Sequence, residues 1–372
     1  MIKKAETKIE YPRRKTRAVY VGDVKIGDSA PISVQSMTKT FTRDAAATIN
    51  QIESLARAGC QIVRVAVPDD ESAHALTDIV RQSPLPVIAD IHFDPRLALK
   101  SIEAGVHGLR LNPGNIMNQD KVVEIARAAA ERGIPIRVGV NAGSIRRSYV
   151  RRIEAGEMSL PEAMVESALE HIHMLEDNHF TAIKIALKTH DVNTTLMAYR
   201  LMAERCDYPF HGGITEAGPP QYGAVKSAVG LALLIREGLT DTVRVSLTAE
   251  PEAEVRLALN VLESMGLRTP PLHIISCPTC ARREIDVALW IDRIEKILRE
   301  YNAGNITVAV MGCVVNGPGE AREADIGITG SGGKAVLFRH GEIVATVPEE
   351  QVLSTFIKEL EQLLDLKSRG GT

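Results

Sequence analysis

Residues 86–112 read PVIADIHFDPRLALKSIEAGVHGLRLN, and this stretch shows the unit from which most of the chain is built. Two strand-like runs, 86–92 and 107–112, flank a helix-like segment, which is typical of parallel strands joined by a helix. Similar runs alternate with helix-like segments along the chain, at 32–37, 62–67, 135–141, 182–188, 209–215 and 243–248. Eight such units in about 240 residues predict an N-terminal (β/α)8 TIM barrel. The alternative is an open, doubly wound sheet.

The pattern changes at LRTPP, residues 267–271, where two prolines end the helical region. After this point strands are predicted at 272–276, 305–311, 325–329, 334–339 and 342–347. Helices are predicted near 283–300 and 348–367, so the second region is an α+β unit. We therefore predict two domains, residues 1–268 and residues 269–372.

Composition and charge exclude several classes of protein. The formal net charge is −3 and aromatic residues make up 4%, so neither a basic surface nor base stacking predicts nucleic-acid binding. No apolar run approaches 18 residues, which argues against a membrane protein. The N-terminal run 1–19 is basic without an apolar segment, so we interpret it as a solvated tail rather than a secretory signal. Five cysteines, three of them clustered, favour a reducing cytoplasm over a disulfide framework.

Single cations interrupt five of the apolar barrel strands, namely Arg64, Arg110, Arg137, Lys184 and Arg244. A charge in a covered strand is costly unless it is paired, and Asp90 and Glu216 are the acids in comparable positions. Several positive charges would therefore converge at one barrel mouth and bind a small, diphosphorylated anion. Polar residues at the ends of strands fit the same site: His92, Asn112, Asn141, Thr215 and Ser246. The alternative is that the cations form structural ion pairs with neighbouring helices.

Three cysteines, Cys277, Cys280 and Cys313, have the spacing of metal ligands, and a metal site usually needs a fourth. The best remaining candidate is Glu320, because the turn before it can direct its carboxylate back toward the cysteines. Three thiolates and one carboxylate suit a [4Fe–4S] cluster with one exchangeable ligand. The alternative is structural zinc with His273 or His340 as the fourth ligand. Cys60 and Cys206 are interpreted as packing residues, and no dinucleotide or P-loop fingerprint is found.

Several motifs resemble one family, the 4-hydroxy-3-methylbut-2-en-1-yl diphosphate synthases of the methylerythritol phosphate route to isoprenoids. They are SVQSMT (33–38), GLRLNPGN (108–115), RVGVNAGS (137–144), ITEAG (214–218), SCPTC (276–280) and MGCVVNGPGEA (311–321). The resemblance extends from about residue 16 to 367 and is to the bacterial two-domain form. It implies a TIM barrel followed by a ferredoxin-like domain similar to a sulfite reductase repeat.

The resemblance also implies an activity and a set of site residues. The enzyme would be an oxidoreductase that opens the ring of 2-C-methyl-D-erythritol 2,4-cyclodiphosphate reductively. A [4Fe–4S] cluster would be held by Cys277, Cys280, Cys313 and Glu320. The diphosphate would be held by Arg64, His92, Arg110, Arg137, Lys184, Arg244 and Ser246, with Asn112, Asn141 and Thr215 nearby.

Two further expectations concern catalysis and partners. We expect Glu216 to be the acid that protonates the departing hydroxyl, held partly protonated by burial. The resemblance implies flavodoxin or ferredoxin as the electron donor. It also implies a homodimer in which the cluster domain of one subunit covers the barrel of the other.

Two other classes of function stay open at this stage. One is a non-catalytic iron–sulfur or zinc protein that binds an anion for regulation. The other is a zinc-stabilised phosphosugar aldolase or isomerase, in which Lys184 would form a Schiff base.

Overall fold

The computed structural model describes residues 11–92, 94–112, 119–269, 272–301, 303–304, 306–315 and 321–368. The chain divides into two compact units, Met1–Leu267 and Arg268–Thr372, which we call the barrel unit and the cysteine unit.

The strands of the barrel unit follow the predicted order. A hairpin comes first, and the barrel strands follow: β1 (Val19–Val21), β2 (Val24–Ile26), β3 (Ser33–Met37), β4 (Ile62–Ala66), β5 (Val87–Ile91), β6 (Gly108–Leu111), β7 (Ile136–Asn141), β8 (Ile183–Lys188), β9 (His211–Gly212) and β10 (Thr242–Val243). Within the described residues, β3 to β10 form one parallel sheet of eight strands. β10 pairs with β3, and a parallel bridge joins Ile185 to Phe210, next to β9, so the ring closes. The predicted barrel is confirmed, and the open sheet is excluded.

Helices cover the outside of the barrel. They are α1 (Ala45–Arg57), α2 (Asp70–Gln82), α3 (Pro95–Glu103), α4 (Gln119–Arg132), α5 (Arg147–Glu154), α6 (Leu160–Glu176), α7 (Val192–Ala203), α8 (Pro220–Arg236) and α9 (Pro251–Ser264). Several begin at an aspartate whose side chain accepts a backbone N–H of the first turn, as Asp44, Asp69 and Asp191 do for α1, α2 and α7. Such caps fix where each strand-to-helix loop ends.

The two faces of the barrel strands differ in chemistry. Alternate residues, such as Val63, Val65 and Val138, are buried in the apolar core that also contains helix residues. The intervening residues, such as Arg64 and Arg137, belong to the opposite face, because strand side chains alternate with a period of two. That face lines the interior of the barrel, which is therefore rich in buried polar groups.

The N-terminal segment closes one end of the barrel. Val19, Val21 and Ile26 of the hairpin form one cluster with Ile62 and Ile88, which lie near the amino ends of β4 and β5. The prediction of a solvated basic tail is wrong for the described part of this segment. Arg13 pairs with Asp241 at 3.0 Å, and the Arg14 guanidinium lies 3.8 Å from the centre of the Phe210 ring. These cations attach the chain to the barrel before the hairpin.

The cysteine unit is α+β, as predicted. Its elements are β11 (Leu272–Ser276), α10 (Val287–Glu300), β12 (Ile306–Met311), β13 (Ile326–Ser331), β14 (Lys334–Arg339), β15 (Glu342–Val347) and α11 (Val352–Ser368). The sheet has the sequential order β11-β12-β13-β14-β15, parallel through β13 and antiparallel afterwards. Trp290 of α10 and Phe356 of α11 pack with Val308 in its core. No helix within the described residues combines the length and apolarity needed to cross a membrane.

Candidate functional site

A cavity of about 190 Å³ lies inside the barrel toward the carboxyl ends of its strands. Its lining consists of Met37, Arg64, Asp90, His92, Arg110, Arg137, Gly139, Asn141, Ala186, Lys188, Thr215, Arg244 and Ser246. Among these described residues the five arginine and lysine side chains face a single carboxylate, that of Asp90. A cavity with this charge balance suits a small, multiply charged anion.

Asp90 is the counter-charge around which the first cations are arranged. Its carboxylate lies 3.3 Å from Nε of Arg64 and 3.1 Å from Nη1 of Arg110. Burial opposes ionisation of Asp90, but Arg64, His92 and Arg110 outweigh it and hold the pKa of this carboxyl well below its ordinary value. Asp90 therefore stays ionised and orients two arginines, as the strand positions predicted.

The cations of the cavity are only partly compensated. Burial lowers the pKa of Arg64 to about 9, despite Asp90. Burial also lowers the pKa of Arg137 and of Lys188, and the neighbouring arginines add to the effect. A bound anion would raise these pKa values again, because a nearby opposite charge favours the charged form.

The register between β7 and β8 shows how deep each of their side chains lies along the barrel axis. Arg137 pairs with Lys184, Gly139 with Ala186, and Asn141 with Lys188 across β7 and β8. Gly139 and Ala186 are small, and a Cβ on Gly139 would lie 3.0 Å from Nε of Arg110. Because both residues are small, the space between Arg137 and the carboxyl ends of the strands stays open.

The structure corrects the choice of lysine on β8. Lys184 is 1% exposed and does not line the cavity, and its Nζ has no hydrogen-bond partner among the described residues. Burial, followed by Arg137 and Arg64, lowers the pKa of Lys184 well below its ordinary value. Lys188, which the sequence prediction omitted, lines the cavity and donates to the Gly212 carbonyl at 3.1 Å.

Lys188 could have been found from the sequence, because it is the last residue of its strand on the same face as Lys184. Met37 also lines the cavity, and its sulfur accepts from Nη2 of Arg64 at 2.9 Å. No sequence signal distinguishes this methionine from a core residue.

Four of the five polar residues predicted at the strand ends line the cavity. His92, Asn141, Thr215 and Ser246 line the cavity together with the arginines. Nε2 of His92 lies 3.1 Å from Nη1 of Arg110. Asn112 is buried directly after β6. His92, Asn141, Thr215 and Ser246 supply hydrogen-bonding partners around the cations.

Glu216 does not have the burial expected for it. It lies on the loop after β9, next to Thr215, with a φ of +51°, and its side chain is exposed in this chain. The reason for expecting partial protonation is therefore wrong. The position of Glu216 beside a cavity-lining residue leaves its role as an acid a prediction.

The cysteines lie at one end of the other sheet. Cys277 directly follows β11, and Gly312 alone separates Cys313 from β12, which is parallel to β11. The Gly312 amide donates to Sγ of Cys277 at 3.1 Å, so the two loops are in contact. Thr279 has a φ of +61°, which turns the chain sharply before the exposed Cys280. Glu320 lies outside the described residues.

These residues suit an iron–sulfur cluster in their chemistry. Three thiols come from two loops, and an amide N–H that points at one sulfur stabilises a thiolate ligand. Across the part of the chain that the structure describes, no three His, Cys, Asp or Glu side chains come together as a metal-binding set. Cys60 is buried, and burial raises the pKa of its thiol to about 11, as expected for a packing residue.

The histidines considered for zinc are poorly placed. His340 donates its amide to the Ala324 carbonyl just before β13, which is the opposite end of the sheet from Cys313. The length of β12 puts about 20 Å between those ends. His273 is exposed and four residues before Cys277, about 13 Å along an extended chain.

Comparison with known proteins covers both units. The family model described as GcpE TIM-barrel domain matches residues 16–259, and the one described as GcpE protein C-terminal domain matches residues 273–362. A relative from Geobacter sulfurreducens is 54% identical over 352 residues, covering 95% of this chain and 99% of the relative. One from Maridesulfovibrio salexigens is 54% identical over 360 residues, covering 96% and 99%. Both relatives are named 4-hydroxy-3-methylbut-2-en-1-yl diphosphate synthase (flavodoxin).

Proposed function

This chain belongs to the 4-hydroxy-3-methylbut-2-en-1-yl diphosphate synthase family, and from this premise we propose how its residues carry out the reaction. It is an oxidoreductase of the methylerythritol phosphate pathway, as its relatives are. The substrate is 2-C-methyl-D-erythritol 2,4-cyclodiphosphate, and the product is the open-chain allylic hydroxy-diphosphate. The single observation that carries the assignment of the substrate site is the cation-lined cavity with one carboxylate.

The reaction breaks two bonds and forms one double bond. The ring C–O(phosphate) bond breaks, the phosphate oxygen keeps a negative charge, and a neighbouring hydroxyl leaves as water. Two electrons and a proton are consumed for each substrate. The residues of the barrel must therefore hold the diphosphate, stabilise the new phosphate charge and supply a proton.

The cations of the cavity perform the first two tasks in this proposal. Arg64 and Arg110, oriented by Asp90, and Arg137, Lys188 and Arg244 surround the diphosphate. Their charges are concentrated before substrate arrives, so each interaction strengthens as the phosphate gains charge. His92, Asn141 and Ser246 donate or accept hydrogen bonds at the rim. Lys184 lies too deep for this role and is left out of the set.

Glu216 is our candidate for the acid. It is the residue after Thr215, which lines the cavity. The Glu216→Gln enzyme should bind the cyclic diphosphate with near-normal affinity and lose about 100-fold or more in turnover. Unchanged turnover by protein with a full complement of iron would exclude this role.

Cys277, Cys280 and Cys313, with Glu320 as the expected fourth ligand, would hold a [4Fe–4S] cluster. When bound, such a cluster supplies electrons one at a time and can offer one iron to a substrate oxygen. In this protein the Gly312 amide would lower the charge on the Cys277 thiolate. We expect flavodoxin or ferredoxin as the donor, a cytoplasmic location, and a homodimer in which each cluster domain covers the partner's barrel.

Metal analysis of protein purified without oxygen tests the proposal. We expect about four iron and four sulfide per chain, and an EPR signal after dithionite that changes when the cyclic diphosphate is added. A content of about one zinc without sulfide would overturn the reductive mechanism. Borohydride trapping of a substrate on Lys184 would instead favour an aldolase.

A further inference from the structure

Two of the cavity-lining residues lie beyond the end of their strand. β10 ends at Val243, and Arg244 and Ser246 follow it. The Arg244 amide still donates to the Gly212 carbonyl at 3.0 Å, but the paired register of β10 with β3 and β9 stops at Val243. The position of Ser246 must therefore be fixed by something other than the strand ladder.

A buried carboxylate on α9 holds the chain next to Ser246. Glu254 is 2% exposed, and its Oε1 accepts from the Leu247 amide at 2.9 Å. Its other oxygen, Oε2, is enclosed without a hydrogen-bond partner among the described residues. A carboxylate with an unpaired buried oxygen is a poor means of stabilising a fold, because its burial costs free energy. Stability alone therefore does not account for a glutamate at this position.

Lys39, in the loop after β3, binds the same segment from the other side. Its Nζ lies 3.1 Å from Oε1 of Glu254 and donates to the carbonyls of Leu247, at 3.2 Å, and Ala249. The Lys39 amide donates to Oε1 of Gln51 on α1 at 2.7 Å. Because β3 and β10 are neighbours in the ring, these bonds join the loops that follow the two strands. We call Lys39 and Glu254 the loop clamp.

Two further interactions connect the loop clamp with the candidate site. The Thr248 amide donates to the Gly218 carbonyl at 3.2 Å, and Gly218 is two residues after Glu216. Burial lowers the pKa of Arg244, and Glu254 is the strongest of the charges that oppose this lowering. The clamp therefore acts on the loops and on a cation of the site without being among the described residues that line the cavity.

We propose that Glu254, together with Lys39, is a positioning residue of the anion site. It holds Ser246 and Arg244 in the places from which they bind a diphosphate. The inference rests on the proposed function in one respect, because it takes the cyclic diphosphate as the ligand of the cavity.

A charge effect and a positioning effect of Glu254 have opposite signs. If only its charge mattered, removing this carboxylate from the neighbourhood of a cationic cavity would strengthen anion binding. If Glu254 positions Ser246, releasing the Leu247 amide should weaken anion binding, because a small displacement of a binding group is costly. Substitutions that separate the charge of the side chain from its reach therefore distinguish the two effects.

The test uses two conservative variants of the full-length, iron-loaded enzyme. Glu254→Gln removes the charge but keeps a side-chain oxygen at the same reach for the Leu247 amide. Glu254→Asp keeps the charge but withdraws the carboxylate by one methylene group. The control is Glu237→Gln, which removes a carboxylate that pairs with Arg200 at the end of α8. The measurements are the dissociation constants of pyrophosphate and of the cyclic diphosphate by calorimetry, and the melting temperature of each variant.

We expect Glu254→Asp to weaken binding of both ligands about 10-fold, whereas Glu254→Gln binds them within about 3-fold of wild type or more tightly. The effect of Glu254→Asp should be smaller in a Ser246→Ala enzyme, since the two residues act through one contact. The control should bind normally. Equal affinities of the two Glu254 variants, or weaker binding by Glu254→Gln alone, overturn the proposal. So does a changed melting temperature with both affinities unchanged, which is the result expected of a purely structural residue.

Lys39→Met tests the clamp independently if Glu254→Asp does not fold. Its matched control is Arg43→Met, which removes another exposed cation from the loop after β3. Lys39→Met should weaken pyrophosphate binding about 10-fold and Arg43→Met less than about 2-fold. Equal changes in the two variants overturn the proposal.

Turnover with dithionite separates this inference from the function on which it rests. If wild-type enzyme converts the cyclic diphosphate, Glu254→Asp should raise KM about 10-fold with a smaller change in kcat, and a change in kcat alone overturns the positioning role. If no condition yields turnover, the proposed function fails, and the pyrophosphate dissociation constants still decide the role of Glu254.

Discussion

At the scale of a residue, two lysines on one strand differ in how deep they lie in the barrel. Lys184 and Lys188 lie on the same face of β8, four residues apart. Lys188 lines the cavity and is held by the Gly212 carbonyl, whereas the Lys184 amine is enclosed without a hydrogen-bond partner in the described structure. An enclosed, unpaired amine costs free energy, and an amine at the cavity can recover it from an anion.

Replacing Lys188 by methionine should therefore weaken substrate binding, whereas replacing Lys184 by methionine should mainly stabilise the fold. Lys188→Met should lower affinity for the cyclic diphosphate about 10- to 100-fold, because a charged hydrogen bond contributes about 1.5–3 kcal/mol. Lys184→Met should leave affinity within a few-fold and raise the free energy of unfolding by about 1–3 kcal/mol. Calorimetric titration and denaturant unfolding of both variants check this. Similar losses of affinity in the two variants would contradict the assignment by depth.

Asp90 supports a second prediction at this scale. Asp90→Asn should cost about 3–5 kcal/mol of stability, because Arg64 and Arg110 stay buried without their counter-charge. Pyrophosphate should then raise the melting temperature more in the variant than in wild type, since the anion replaces part of the missing charge. Asp78→Asn, which removes an exposed pair with Arg81, is the control and should cost less than about 1 kcal/mol. An equally small cost for Asp90→Asn would refute the counter-charge role.

The residue-scale predictions succeeded where strand geometry alone determines position. Arg64, Arg110 and Arg137 lie on the inner face because alternation along a strand requires it. Choosing between Lys184 and Lys188 requires the depth of each residue along the barrel axis, which depends on the register between β7 and β8. The burial of Glu216 depends on what covers a loop, and no local pattern encodes that.

Helix α6 contains a buried histidine whose titration should limit stability at low pH. His171 is fully buried, and neither ring nitrogen has a hydrogen-bond partner among the described residues. Burial, and then the charge of Arg146, lowers the pKa of His171 to about 4. The unfolded chain takes up a proton near pH 6.5 and the folded protein only near pH 4, so stability falls as the pH falls through this window.

Protonation of His171 should lower the free energy of unfolding by about 3 kcal/mol across the whole window and by about 2 kcal/mol between pH 7 and pH 5. His171→Leu should abolish that part of the pH dependence, as measured by denaturant unfolding at the two pH values. His173→Leu, on the exposed side of the same helix, should leave the dependence unchanged. A wild-type slope retained in His171→Leu would show that other groups are responsible.

At the scale of elements, the central barrel strands and the strands of the cysteine unit agree with prediction within about two residues. β9 and β10 do not, since runs predicted at 209–215 and 243–248 form strands of two residues each. Gly213 explains part of this. Its φ of +148° and the close approach of the Arg244 carbonyl interrupt the ladder there. The hairpin β1–β2 was missed because three-residue strands have no detectable period.

At the scale of the whole molecule, the question is whether each cysteine unit acts with the barrel of its own chain or with that of another chain. The barrel unit contains the cation cavity and the cysteine unit contains the three thiols. Since the described residues of neither unit hold both groups, the mechanism that we propose requires the two groups to meet, within one chain or between two. A head-to-tail homodimer satisfies this requirement with two equivalent sites.

Mixing two inactive variants distinguishes these arrangements. Arg137→Met removes a cavity cation, and Cys313→Ser removes a thiol, so each homodimer should be inactive in either arrangement. In a hybrid with sites between subunits, one site combines both damaged parts and the other combines both intact parts. Random mixing of equal amounts should then give about one quarter of wild-type activity, because about half of the dimers are hybrids with one working site each. Sites within a chain give none, so affinity-purified hybrids without activity would exclude the shared site.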